Sequence, residues 1–200
     1  MEAYIPSLTS WLCGRAAIYD EISKDRLFYQ LVDRVCAMLV SAIRADGKIM
    51  IIGNGGSAAE AQHFAAELVG RFRMDRPPIA ALALTTDTSI ITAWTNDVGF
   101  ATVFSRQIEA LVNPCDVVIC FTTSDADETH SLNLLYALKV AREIKGATTI
   151  CFGSLKTKIL ADLAHHTVFV PSEDGAIVQE VHLALIHYVC DVIEKELFSE

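Results

Sequence analysis

Residues 51–73 read IIGNGGSAAEAQHFAAELVGRFR, an apolar run that stops at a glycine-rich turn and continues with helical spacing. Gly53, Gly55 and Gly56 can adopt positive φ, so the chain can turn sharply out of a strand and approach a ligand closely. Ser57 stands where a helix N-cap is expected, and free backbone N–H groups there face an anion or a hydroxyl. The turn has neither the Gly-Lys-Ser/Thr of a Walker A loop nor a G-x-G-x-x-G pattern, so it does not support nucleotide binding.

The same change from strand to helix recurs along the chain. Each predicted strand is short and apolar throughout, which is typical of parallel strands covered on both faces. The sequence therefore predicts an α/β fold with a five-stranded parallel sheet, helices on both faces and an N-terminal helical segment, in a single domain over residues 1–200. That helical segment takes up residues 1–46, and a long helix is expected over 175–198. The predicted strands are Lys48–Ile52, Ile79–Leu84, Asp116–Phe121, Ala147–Phe152 and 167–171.

Composition narrows the classes of function. The formal net charge is −9, from 16 basic and 25 acidic residues, which disfavours sequence-independent nucleic-acid or membrane-surface binding. The six cysteines are far apart and are interpreted as buried free thiols in a reducing cytosol. No signal peptide is evident, and charges interrupt the apolar segments before the ~20 residues of a membrane span. We therefore expect a cytoplasmic protein with neither nucleic-acid nor membrane partners.

Three polar loops follow predicted strands, with sequences GNGGS at 53–57, TTDTS at 85–89 and TTSDADETHS at 122–131. Ligands of open parallel sheets bind beyond the carboxyl ends of the strands. These loops are therefore the first candidates for a binding site.

Two helices carry side chains suited to metal or proton chemistry. His63 and Glu67 are four residues apart and lie on one helical face, where they could ligate a metal, transfer protons or form a surface pair. The C-terminal helix carries Gln179, His182 and His187 among apolar neighbours. His63, Glu67 and His187 with one further ligand would suit zinc. Gln179 and His182 would be an easier pair than Gln179 and His187, which are ~12 Å apart along the helix, and spacing alone does not choose.

Four motifs together resemble the SIS-domain phosphoheptose isomerases, and the similarity runs from about Leu27 onward. They are GNGGSAAEAQHFAAELVGRF at 53–72, LALTTDTS at 82–89, NDVGFATVFSRQIEAL at 96–111 and VQEVHLALIH at 178–187. The resemblance implies a flavodoxin-like fold, a homotetramer with active sites at subunit interfaces, and one zinc ion per subunit. It implies interconversion of sedoheptulose 7-phosphate and D-glycero-D-manno-heptose 7-phosphate, which supplies ADP-heptose for lipopolysaccharide or capsule.

The resemblance also implies residue roles. The zinc ligands would be His63, Glu67, Gln179 and His187, and the acid/base pair Glu67 and His187. The substrate-binding residues would be Asn54, Gly55, Gly56, Ser57, Arg71, Asp97, Thr122, Thr123, Ser124 and Gln179. A related SIS protein that associates with the replication initiator lacks suitable residues at the positions of Glu67 and His187. Both are present here, which favours an enzyme.

The sequence departs from the family pattern at three places. The loop at 122–131 keeps hydroxyls but adds Asp125, Asp127 and Glu128, which would repel a phosphate, unless the insertion loops outward and leaves Ser131 to complete the site. Ile177 replaces an arginine, and GSLKTK at 153–158 replaces a glycine-rich segment. Two alternatives therefore stay open: a non-catalytic SIS protein that binds a sugar phosphate, and an isomerase of another ketose phosphate.

Overall fold

The computed structural model describes residues 7–199, so residues 1–6 of the predicted N-terminal segment lie outside the described chain. Five parallel strands form one sheet in the order β2-β1-β3-β4-β5. This confirms the predicted parallel sheet, whose strand order is that of flavodoxin-like folds. The interpretation of residues 1–200 as a single domain stays a prediction. The strands are β1 Ile49–Gly53, β2 Ala81–Ala83, β3 Val117–Phe121, β4 Thr148–Ser154 and β5 His166–Val170.

Helices cover both faces of the sheet, as predicted. Side chains alternate along each strand, so that Ile49 and Ile51 pack with α2, α3 and α8 while Met50 and Ile52 pack with α5, α6 and α7. The predicted N-terminal helical segment is two helices, because Asp25 caps the start of the second. The helices are α1 Leu8–Ile22, α2 Arg26–Arg44, α3 Gly56–Val69, α4 Thr88–Asp97, α5 Val103–Leu111, α6 Leu132–Lys139, α7 Ile159–Leu163 and α8 Gly175–Phe198.

The two ends of the parallel strands differ in chemistry. At the N-terminal ends of β1 and β3, Lys48 and Asp116 form an ion pair in which the carboxylate also accepts from the backbone N–H groups of Lys48 and Asn113. Burial alone would raise the pKa of Asp116, but these bonds outweigh it and lower the pKa. At the C-terminal ends of the strands, the last residues of β1 and β3 are adjacent, because Gly53 pairs with Phe121. The loops that follow them are thereby brought together.

One sequence expectation, that all six cysteines are buried, is corrected by the structure. Cys13 and Cys115 are exposed, whereas the other four free cysteines are buried as expected. The 24 residues of α8 are long and apolar enough to cross a membrane by length and composition. However, α8 packs as a core helix against β4 and β5, with residues such as Val178, Ile186 and Val189 fully buried.

Candidate active site and metal centre

In the turn between β1 and α3, the backbone of Gly53 lies close to that of Ser57. A Cβ on Gly53 would lie 2.5 Å from the carbonyl oxygen of Ser57, so no larger residue fits there. Gly55 has a φ of 54° and is the N-cap of α3, without a side-chain hydrogen bond. The prediction of Ser57 as N-cap was therefore wrong: Ser57 is the second residue of α3 and is buried. Its side chain is thus placed beside the turn, where it lines a cavity.

That cavity, of about 120 Å³, lies where the β1 and β3 loops meet. Its polar lining comes from two connecting segments, after β1 and after β3, which supply hydroxyl or amide groups: Asn54, Ser57, Thr122, Thr123, Ser124 and Ser131. Asn54 is held by reciprocal amide bonds with Asn133 of 2.7 and 3.0 Å. A concave set of hydroxyls beside a helix N-terminus suits a phosphate group.

Two carboxylates of the acidic insertion, those of Asp125 and Asp127, bond to backbone N–H groups elsewhere. Asp125 accepts from the backbone N–H groups of Ile159 and Leu160 at 2.8 and 3.1 Å, and so caps α7. Burial would raise the pKa of Asp125, but these N–H donors outweigh it and lower the pKa. Asp127 accepts from the backbone N–H groups of Thr129 and His130 within its own loop, and these bonds lower its pKa. None of the three acidic residues of the insertion lines the cavity.

Three donor atoms converge about two turns further along α3. His63 Nε2 lies 2.9 Å from His187 Nε2 and 3.4 Å from Glu67 Oε1, and all three residues are partly buried. Two ligands of a tetrahedral zinc ion bound at 2.0–2.1 Å are about 3.3 Å apart. The donor set and its spacing therefore fit a zinc ion.

Gln179 lies at the other end of the same cleft. A cavity of about 570 Å³ between α3 and α8 is lined by Gly56, His63 and Gln179, among others. A Cβ on Gly56 would be 2.6 Å from Gln179 Oε1, so glycine at this position leaves room for the amide. Gln179 therefore links the start of α3 to the cavity that His63 lines.

His182 takes no part in the three-residue cluster. It is fully buried, with Nδ1 3.4 Å from Glu60 Oε1 and rings of Phe121 and Phe152 nearby. Of the two histidines that spacing left open, the structure brings His187 to His63 and Glu67. Its Nε2 lies 3.4 Å from the carbonyl oxygen of Gly153, whereas Nδ1 and both carboxylate oxygens of Glu60 are buried without a hydrogen-bond partner among the described residues.

Arg71 and Asp97 lie apart from the cluster in this protomer. Arg71 is exposed and forms a long ion pair of 3.8 Å with Asp75. Asp97 is exposed at the end of α4 and accepts from Asn96. Among the residues that the structure describes, neither lines the cavity beside Ser57 or the cleft beside Gln179.

One site residue was missed by sequence reasoning. The ring of Phe72 stacks on the ring of His187, with centroids 5.5 Å apart and planes 14° from parallel. Phe72 lies in the loop after α3, where no periodic pattern indicates which side chain faces the core. Only its position close behind Glu67 could have suggested a role.

Comparisons with known proteins identify the family of this chain. The SIS domain family matches residues 29–154. A phosphoheptose isomerase of Aquifex aeolicus is 47% identical over 84% of this chain and 86% of its own length. One of Pelobacter propionicus is 44% identical over 98% of this chain and all of its own length. The solved structure of a phosphoheptose isomerase from Neisseria gonorrhoeae superposes with a TM-score of 0.84, at 34% identity, covering 94% of this chain and 97% of that one.

Proposed function

This chain belongs to the SIS-domain phosphoheptose isomerases, and from that premise we propose that its cleft interconverts sedoheptulose 7-phosphate and D-glycero-D-manno-heptose 7-phosphate. The observation that carries this assignment is the convergence of Glu67 and His63 of α3 with His187 of α8, on the helix whose start borders the hydroxyl-lined cavity. A phosphate beside Ser57 and a reacting carbonyl beside His63 would thus both lie along α3. The product supplies ADP-heptose for lipopolysaccharide or capsule.

The reaction needs two proton movements. Isomerisation removes a proton from C1 of the ketose, forms an enediol and returns a proton to C2, while a hydroxyl proton passes from O1 to O2. The carboxylate of Glu67 carries the carbon-bound proton. The imidazole of His187, 2.9 Å from His63 Nε2 and packed on Phe72, serves the two oxygens.

The proposed zinc ligands are His63, Glu67, Gln179 and His187. Three of these bring their donor atoms within 4.8 Å of one another, which supports the assignment. A bound zinc ion supplies Lewis-acid polarisation of the substrate carbonyl. Glu67 and His187 are proposed both as zinc ligands and as the acid/base pair. Metal content must therefore be measured alongside turnover in their variants.

The phosphate end of the site is formed by neutral donors. We assign substrate contacts to Asn54, Gly55, Gly56 and Ser57 of the first loop and to Thr122, Thr123 and Ser124 of the second, with Gln179 reaching the sugar. Ser131 joins them in lining the cavity. These donors and the N-terminus of α3 favour an anion although the chain as a whole is acidic.

The proposal extends to assembly and location. We propose a cytoplasmic homotetramer in which Arg71 and Asp97 contact substrate bound to a neighbouring subunit. Their exposed positions outside the cavities of their own protomer support this arrangement. Exposed apolar side chains on α1 and α8, such as Leu12 and Tyr188, supply surface for it.

Turnover of sedoheptulose 7-phosphate, followed as aldose formation, tests the assignment. Glu67→Gln and His187→Gln are each expected to reduce turnover at least about 100-fold while circular dichroism stays unchanged. His166→Gln, at the start of β5 and the opposite edge of the sheet, is the control and should retain activity. Normal turnover in either site variant would refute the roles. A panel of shorter ketose phosphates identifies the preferred sugar, and absence of all turnover with tight sugar-phosphate binding would support the binding protein instead.

A further inference from the structure

A buried carboxylate organises the loop that follows α3. Glu194 of α8 accepts hydrogen bonds from the backbone N–H groups of Phe72, Arg73 and Met74 at 2.9, 2.8 and 2.9 Å. It also accepts from Arg76 Nε at 3.0 Å, and both side chains of this ion pair are 1% exposed. Burial alone would raise the pKa of Glu194, but the four donors outweigh it and lower the pKa. The loop is therefore fixed to α8 by its own backbone.

Arg76 connects the same pair to α3. Its Nη2 donates to the carbonyl oxygen of Glu67 at 2.8 Å, and its Nη1 donates to that of Leu68 at 2.8 Å. The last carbonyls of a helix lack intrahelical partners, so these bonds satisfy groups that would otherwise be exposed or unpaired. The residue held in this way is the one to which we assign the carbon-bound proton.

Phe72 connects the pair to His187. The backbone N–H of Phe72 is bonded to Glu194, and its ring stacks on the imidazole of His187. His187 and Glu194 are seven residues apart on α8, so they lie on one face about 10.5 Å apart along the axis. The Glu194 carboxylate thus holds the Phe72 ring against the imidazole of His187, which lies two turns before Glu194 on α8.

We propose that the buried Arg76–Glu194 pair is a positioning unit for the isomerisation, setting Glu67 through its backbone carbonyl and His187 through the ring of Phe72. The inference rests on the proposed function. Neither side chain of the pair contacts the cavity lined by Ser57, so the pair affects proton transfer and metal retention rather than substrate binding. Residues that orient catalytic and metal-binding groups typically change activity or metal affinity about 10- to 100-fold when replaced.

The experiment compares Glu194→Gln and Phe72→Leu with Lys48→Met. Lys48→Met breaks the ion pair with the buried Asp116 at the N-terminal ends of the strands, and so controls for removing the partner of a buried carboxylate. Phe72→Leu leaves the Arg76–Glu194 pair intact and keeps a test available if Glu194→Gln does not fold. Each variant is measured for kcat and KM with sedoheptulose 7-phosphate and for the rate of zinc release to a chromogenic chelator.

Glu194→Gln and Phe72→Leu are expected to lower kcat about 10- to 100-fold, speed zinc release by a similar factor and leave KM within about 3-fold of wild type. Lys48→Met is expected to unfold at lower denaturant concentration with wild-type kcat and zinc release. Wild-type kcat and zinc release in a folded Phe72→Leu variant would overturn the inference. An equal loss of kcat in Lys48→Met would also overturn it. If the wild type turns over no sugar, the proposed function fails, and zinc release alone decides the role of the pair.

Discussion

Gly56→Ala is expected to abolish most activity while preserving the fold. Gly56 begins α3, and the glycines with positive φ in the described chain are Gly55, Gly99 and Gly146, so alanine can adopt its backbone. The added Cβ would lie 2.6 Å from Oε1 and 2.7 Å from Cδ of Gln179. Ordinary contacts are about 3.5–4.0 Å, so the amide must move by roughly 1 Å.

The size of the effect follows from that displacement. A misplacement of about 1 Å can reduce turnover about 100-fold, which corresponds to about 2.7 kcal/mol of transition-state stabilisation. Fold stability should change little, because the flexible end of Gln179 can move and alanine favours the helix by up to about 1 kcal/mol over glycine. Activity and stability are therefore expected to separate in this variant.

The assay is a double-mutant cycle on kcat/KM with sedoheptulose 7-phosphate. If Gly56→Ala acts by displacing Gln179, then adding Gln179→Ala should cause little further loss. Gly14→Ala is the control, because a Cβ there meets nothing within 4 Å. Losses that multiply in the double variant, or wild-type activity in Gly56→Ala, would refute the reasoning.

Two further predictions concern the loop at 122–131. Asp125→Ala should lower stability by about 1 kcal/mol at pH 7 through loss of the α7 cap, with unchanged KM; a fall in KM would mean that the carboxylate does repel the phosphate. The pKa of Asp125 is lower in the folded than in the unfolded protein, where it is about 3.9. The carboxylate therefore stabilises the fold above about pH 3.9, and this stabilisation is lost as the pH falls through the folded pKa. Denaturation curves of variant and wild type should therefore converge in acid. Ser131→Gly should raise the unfolding free energy by up to about 1 kcal/mol, because Ser131 has a φ of 54° that glycine adopts without strain. The same substitution should raise KM, because it removes a hydroxyl from the cavity. An unchanged KM would exclude Ser131 from phosphate binding.

Much of the fold could be predicted because burial leaves a direct pattern in the sequence. The apolar runs of β1, β3 and β4 locate central strands, since side chains on both faces are covered. The edge strand β2 is only Ala81–Ala83, shorter than the predicted Ile79–Leu84, since its register with β1 covers three residues. Helix α7 has five residues and begins where Asp125 caps it.

The site could be predicted in part. Helical periodicity placed His63 and Glu67 on one face, and the family resemblance selected His187 over His182, as the geometry also does. The direction of the Asp125 side chain could not be read from sequence, because its partners are backbone N–H groups 34 and 35 residues away. The Arg76–Glu194 pair was hidden for the same reason, since 118 residues separate its members.

Because α3 carries both Ser57, beside the hydroxyl-lined cavity, and His63, beside the other candidate metal ligands, the helix fixes the orientation of one relative to the other. Inserting a single residue between them would rotate the far end by about 100° and advance it by about 1.5 Å, carrying the imidazole off the face that meets α8. Insertions and deletions between Ser57 and His63 in α3 are therefore not tolerated. Changes in substrate specificity must instead arise in connecting loops, such as 125–131, where added residues leave the register of α3 unchanged.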